Sequence, residues 1–139
     1  MNTIKLHYIV DGDDFTRAGE ASASVKKTLR QLGIDPNIIR KVAIALYEGE
    51  INMVIHAHGG EIKIEISPTS IDMLLKDKGK GIENIELAMQ EGYSTAPDEV
   101  RSLGFGAGMG LSNMKKNTDS MIIDSTVNVG TTVHMIINI

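Results

Sequence analysis

Residues 61–76 read EIKIEISPTSIDMLLK, and their pattern decides the class of fold. EIKIEIS alternates charged and apolar residues strictly, the period of a strand with one buried face. Pro68-Thr69 interrupts the run and SIDMLLK follows at 70–76, which predicts two antiparallel strands joined by a short turn. Upstream the period becomes helical. Phe15, Ala18, Ala21, Val25, Leu29 and Leu32 recur at helical spacing, so a helix is expected over about 14–32. Gly33 stands where a glycine ends a helix, and Asp35-Pro36 restarts the chain as an N-cap followed by Pro at the first helical position. That second helix should run to about His56, with Gly59-Gly60 leading into the hairpin. Before both helices, residues 3–10 (TIKLHYIV) alternate as a strand with Ile4, Leu6 and Tyr8 on one face. After the hairpin, short helices are expected over 84–90 and about 109–117. Strands at 120–127 and 131–138 follow, joined by Asn128-Val129-Gly130. The order βαα, ββ, glycine-rich segment, α, ββ packs naturally as helices on one face of a mostly antiparallel sheet. The class is therefore α+β, a two-layer α/β sandwich.

Composition bounds the chemistry. A chain of 139 residues suits one domain, spanning 1–139, and can bury a conventional core. With no cysteine, disulfides, zinc–thiolate sites and cysteine nucleophiles are excluded. The excess of 18 acidic over 14 basic side chains, a net charge of −4, argues against direct nucleic-acid binding. No apolar run approaches the roughly 20 residues that span a bilayer, and the N-terminus carries Asp11, Asp13 and Asp14 rather than a signal-peptide pattern, so a cytoplasmic setting is expected.

Three segments could carry chemistry. Glu48, Asn52 and His56 are spaced four apart and form one stripe on the second helix. A solvated face could show the same spacing, but this stripe lacks the Lys and Arg of a salt-bridged surface. Gly49, mid-helix, costs about 1 kcal/mol relative to Ala, which implies that something approaches the backbone there. A carboxylate can accept a proton, and a carboxamide oxygen one turn away can ligate a hard cation such as Mg²⁺. Asp77-Lys78-Gly79-Lys80-Gly81 closes a strand; it reads as a plain turn or as an Asp that accepts a hydrogen bond from the exocyclic amine of a base. Leu103–Leu111 reads LGFGAGMGL, with alternate glycines running into a helix start, a ready anion site. Seven of the 14 glycines lie between Asp77 and Gly110. Neither the P-loop pattern nor the dinucleotide pattern G-x-G-x-x-G fits them. The four histidines give no converging metal set, and Ser/His/Asp catalysis has no local signature.

In order and spacing, these pieces resemble the GHKL ATPase/kinase superfamily, with its Bergerat-type ATP-binding fold. Glu48-x-x-x-Asn52 with His56 resembles the N-box, and Asp77-x-Gly79-x-Gly81 the first glycine box. Gly104-Phe-Gly-Ala-Gly-Met-Gly110 resembles the second glycine box, and Gly130-Thr131 the final strand motif. Small size and the stretch EGYSTAPDEVRS look most like bacterial anti-sigma serine/threonine kinases and the switch kinases of stress modules. The resemblance implies ATP and Mg²⁺ as cofactors and transfer of the γ-phosphate to a Ser or Thr of a STAS-domain partner of the anti-anti-sigma type. By the same resemblance Glu48 is the general base, Asn52 the Mg²⁺ ligand and Asp77 the adenine reader. His56 belongs to the same nucleotide-binding stripe. Gly79 and Gly81 allow close approach to the base, Gly104, Gly106, Gly108 and Gly110 wrap the phosphates, and Thr131 supports the adenine end. Residues 91–103 would form a lid, from which Arg101 reaches the γ-phosphate or the partner. Glu50 would add negative charge near the metal unless it points away, as its two-residue offset from Glu48 implies. Two other readings stay open: an anti-sigma factor that sequesters a sigma factor, and a nucleotide-sensing interaction domain without catalysis. A homodimer is also left open; the small-residue stretch Ala21-Ser22-Ala23-Ser24 on the first helix is read as packing within the chain.

Overall fold

The hairpin forms as its alternation requires. In a computed structural model that describes residues 3–12, 17–57, 59–82, 85, 89 and 110–139, β2 (Gly59–Ile66) pairs antiparallel with β3 (Ser70–Lys76). Ile62, Ile64 and Ile66 point to the core with Ile71, Met73 and Leu75, and all six are buried. Each such side chain contributes roughly 1.5–3 kcal/mol by leaving water. β1 (Ile4–Asp11) pairs antiparallel with β2, β5 (Gly130–Asn138) with β3, and β4 (Ser120–Thr126) with β5. The result is a five-stranded, wholly antiparallel sheet in the order β1-β2-β3-β5-β4.

Among the described residues three helices, α1 (Glu20–Gln31), α2 (Pro36–Ala57) and α3 (Gly110–Lys116), supply the second layer. Val25 and Leu29 of α1, Val42, Ala45, Leu46, Met53 and Val54 of α2 and Met114 of α3 close over the inward strand residues as one cluster. The α+β two-layer architecture is the expected one. The turn between α1 and α2 also forms as read. Gly33 takes φ 73, and the N–H groups of Gly33 and Ile34 donate to the carbonyls of Arg30 and Leu29, the paired bonds that satisfy a helix C-terminus. Asp35 Oδ1 then accepts the Asn37 N–H at 2.8 Å, an N-cap bond.

The start of α1 differs from the expectation at about residue 14. Gly19, in the left-handed region at φ 100, is the N-cap and α1 begins at Glu20, so Ala18 lies outside the helix. Gly19 has no side chain with which to cap, and the cap comes from another helix. Glu50 of α2, 2% exposed, accepts the N–H groups of Gly19 (2.9 Å), Ala21 (3.1 Å) and Ser22 (3.0 Å), together with the Ser22 hydroxyl (3.1 Å). Glu50 therefore points toward α1. Ala21 and Ser22 are buried in this junction, while Ala23 and Ser24 are exposed.

Gly49, one residue before Glu50, is where the layers come closest. A Cβ there would collide with Leu75 Cδ2 of β3 and lie 3.3 Å from Met114 Cε of α3. The neighbour that the mid-helix glycine implied is thus the core itself. The helix expected over 84–90 falls mainly outside the described residues; within it the Met89 N–H donates to the Ile85 carbonyl at 2.9 Å. Among the described residues no helix is long and apolar enough to cross a membrane.

Candidate functional site

Because α2 is pinned at Gly49 against β3 and α3, the residues flanking that contact face the start of α3. Glu48 and Asn52 lie partly exposed, one turn apart. A Cβ on Gly110, the first residue of α3, would sit 3.0 Å from Asn52 Nδ2, 3.2 Å from Asn52 Oδ1 and 3.4 Å from Glu48 Oε2. A side chain at 110 would crowd Asn52 and lie in contact with Glu48. The Asn52 amide also contacts Met114 Sδ at 4.0 Å, which seats it against α3. Two of the expected residues on α2 and one from the second glycine box therefore meet. The backbone of His56 continues α2 on the same stripe; its side chain, with Arg101, Gly104, Gly106, Gly108 and the lid over 91–103, lies outside the described residues.

A second cluster forms where β3 ends. The ladder with β5 extends one bond past Lys76, the Asp77 N–H donating to the Thr131 carbonyl at 2.9 Å. Asp77 Oδ1 accepts the N–H of Gly79 at 2.9 Å and of Thr131 at 3.2 Å. The first is an Asx-turn that holds the loop in place. Both bonds use Oδ1. A Cβ at Gly79 would be 2.6 Å from Ala57 Cα and 3.2 Å from Asp77 Oδ1, so the loop passes directly under the end of α2. Gly81 lies further along at φ 78, against the backbone of Thr126. The Thr131 side chain is nearly buried, and its Oγ1 is 2.8 Å from Ser125 Oγ on the adjoining strand. Asp77, Gly79 and Thr131 are thereby brought together.

Three contributors escape a motif reading. Ser125 accepts the Ile82 N–H at 2.7 Å while pairing with Thr131, and so joins the glycine loop to β4. The register Ser125↔Thr131 follows from the turn at 127–129, so counting outward from Gly130 would have found it. Ala57 matters only by standing over Gly79, and nothing in the local sequence shows that. Glu50 is the third, a buried carboxylate two residues from each member of the Glu48/Asn52 pair.

The donor set can be tested against the ligands that the motifs imply. Among the described residues no three His, Cys, Asp or Glu side chains cluster to hold a metal. Mg²⁺ takes one or two protein oxygens and completes its shell with phosphate and water. Asn52 Oδ1 would be one such oxygen. At the other cluster, Asp77 offers a carboxylate acceptor, while the space beside Gly79 is taken by Ala57 of α2. The residues fit both.

Comparison with known proteins agrees with the fold. The histidine kinase-like ATPase domain matches residues 13–137. An anti-sigma F factor of Clostridium kluyveri is 33% identical over 135 residues, covering 94% of this chain and 89% of its own. Among solved structures, that of the RsbU and RsbW domains of a Mycobacterium tuberculosis protein aligns with a TM-score of 0.63 at 17% identity. The alignment covers 96% of this chain and 32% of that one. The SiaB–SiaC complex of Pseudomonas aeruginosa aligns with a TM-score of 0.57 at 11% identity, covering 96% of this chain and 89% of that one. These two share the fold. With a family match over nearly its whole length, the chain belongs to the histidine kinase-like ATPase domain family, the GHKL group that its motifs resemble.

Proposed function

We propose that this protein is an ATP-dependent serine/threonine kinase of a partner-switching module, which phosphorylates a Ser or Thr on a STAS-domain partner of the anti-anti-sigma type. The observation that carries the proposal is the meeting of Glu48, Asn52 and Gly110. It sets a proton acceptor and a metal-ligating oxygen beside the end of the second glycine box. In this reading Asp77 accepts the exocyclic amine of adenine through its second oxygen, while Oδ1 stays committed to Gly79 and Thr131. Thr131 and Ser125 support the adenine end. Asn52 Oδ1 would hold Mg²⁺, which when bound would neutralise phosphate charge. By the resemblance, Gly104, Gly106, Gly108 and Gly110 would offer backbone N–H groups to the phosphates, and Arg101 would reach the γ-phosphate or the partner. Glu48 orients the attacking hydroxyl and takes its proton. Phosphoryl transfer depends mainly on positioning and charge neutralisation, so a small site of this kind is sufficient.

The name of the curated relatives, anti-sigma F factor, supports a place in such a module and favours a second role, sequestration of a sigma factor. The SiaB neighbour, solved with a second protein, supports a protein as the acceptor. The test is incubation with γ-labelled ATP, Mg²⁺ and a candidate STAS protein, with Asp77→Asn alongside. Asn keeps an oxygen for Gly79 and Thr131 but puts an amide where the second oxygen stood. Label on a Ser or Thr of the partner, lost with ATP binding in Asp77→Asn, is the expected result. ATP binding without transfer would leave only the nucleotide-sensing reading, and sigma-factor capture without transfer only the anti-sigma one.

A further inference from the structure

On the outer side of the helix layer, α1 and α2 leave an open groove of about 810 Å³. The apolar part of its lining includes Ile39, Ile44 and Tyr47 of α2, the last two 36% and 40% exposed. Three cations also line it, Lys26 and Arg30 on α1 and Arg40 on α2, and no lining residue is acidic. Among the described residues none of the three forms an ion pair. In a chain of net charge −4, an apolar trough bordered only by unpaired cations is a local reversal of the surface field. Arg30 and Arg40 flank the α1–α2 turn, and Tyr47 lies at the opposite end, beneath Gly19. The two arginines thus stand at the turn, where Ile34, Pro36 and Ile39 also line the groove, and the aromatic ring lies at the far end.

We infer that this groove docks an acidic amphipathic helix of another polypeptide. Its apolar ridge would lie over Ile44 and Tyr47, and its carboxylates would meet Lys26, Arg30 and Arg40. The length fits: α1 has 12 residues, about 18 Å at 1.5 Å per residue, or three turns of a helix laid alongside it. Charge tells against a second copy of the chain, because a symmetric contact would set the three cations against their own kind. The described helices of a second copy offer no acidic face either, since α1 carries Lys27 beside these cations, α2 opens with Arg40-Lys41 and α3 ends in Lys115-Lys116. The inference does not depend on phosphotransfer, since the groove uses none of the residues assigned to the nucleotide.

The test is selection from a randomised helical peptide library displayed on phage, with the full chain as bait. Binders should carry Asp or Glu flanking apolar residues at i, i+3 or i+4, and i+7. Their amide-shift perturbations on the wild-type chain should centre on residues 26, 30, 40, 44 and 47. The combined variant K26E/R30E/R40E, altered only at the groove rim, should weaken them at least about tenfold. Enriched peptides without acidic residues, equal binding to the variant, shifts centred elsewhere, or no enrichment would each overturn the inference. So would concentration-dependent self-association that the variant abolishes, which would assign the groove to a second copy.

Discussion

Glu50 Oε1 accepts both the backbone N–H of Ser22 at 3.0 Å and its hydroxyl at 3.1 Å, so a residue of α2 caps the helix that precedes it. Glu50→Ala would leave the N–H groups of Gly19, Ala21 and Ser22 without their acceptor in a buried junction. With about 1–3 kcal/mol for each buried polar group left unsatisfied and partial rescue by water, the expected loss is about 2–4 kcal/mol. Urea denaturation measures it. Stability within about 0.5 kcal/mol of wild type would show that the cap is dispensable.

The Gly49–Leu75 contact gives a prediction of opposite sign to helix propensity. Gly49→Ala gains about 1 kcal/mol in propensity, but its methyl would overlap Leu75 Cδ2 in the core. Overpacking costs about 1–3 kcal/mol, so a net loss of about 1 kcal/mol is expected. Leu75→Val in the same chain should make the Gly49→Ala change neutral or favourable. A melting temperature raised by Gly49→Ala alone would contradict the contact.

Much of the fold was legible because its signals are local. The strict alternation at 61–67, Gly33 and the Asp35-Pro36 pair each act through neighbours within a few residues, and each forms as read. The start of α1 was not. The periodicity of Phe15 and Ala18 extends past a boundary that is set by the left-handed Gly19 and by a carboxylate 28 residues downstream of Ser22. The residues of the candidate site were legible as motifs, and how the fold brings some of them together was not. That Gly110 comes to lie beside Asn52 and Glu48 depends on how α3 packs on α2. The support of Thr131 by Ser125 depends on β4–β5 register, which only the turn count would have revealed.

Ser125→Ala removes the hydroxyl partner of Thr131 and the acceptor of the Ile82 N–H. If these bonds support the adenine end, ATP affinity should fall about three- to tenfold, in line with about 1 kcal/mol for a lost hydrogen bond. Calorimetric titration with ATP measures it. Unchanged affinity would place Ser125 outside the nucleotide site.

On the outer face of the sheet, His7 Nε2 lies 2.9 Å from Glu61 Oε2, and this hydrogen bond, more than the charges of Lys63 and Lys76, holds the Glu61 carboxyl below its ordinary 4.5. A lowered carboxylate pKa means that the folded state favours the ionised form. The contribution is present above pH 4.5 and is lost as pH falls through the lowered value. His7→Ala should move the Glu61 titration back up toward 4.5, as read by carboxyl carbon shifts against pH. A midpoint unmoved by the substitution would dissociate the pair.

In the proposed reaction Glu48 takes the proton of a partner hydroxyl while ATP is held by the residues around it. Single-turnover transfer from γ-labelled ATP to a STAS-domain partner, at saturating nucleotide, isolates that step in the wild type and in Glu48→Gln. The account predicts a rate reduced by about 10²–10⁴-fold, with ATP affinity changed by less than about threefold, since Gln keeps the shape beside Gly110 and removes the base. Transfer at the wild-type rate by Glu48→Gln would contradict it.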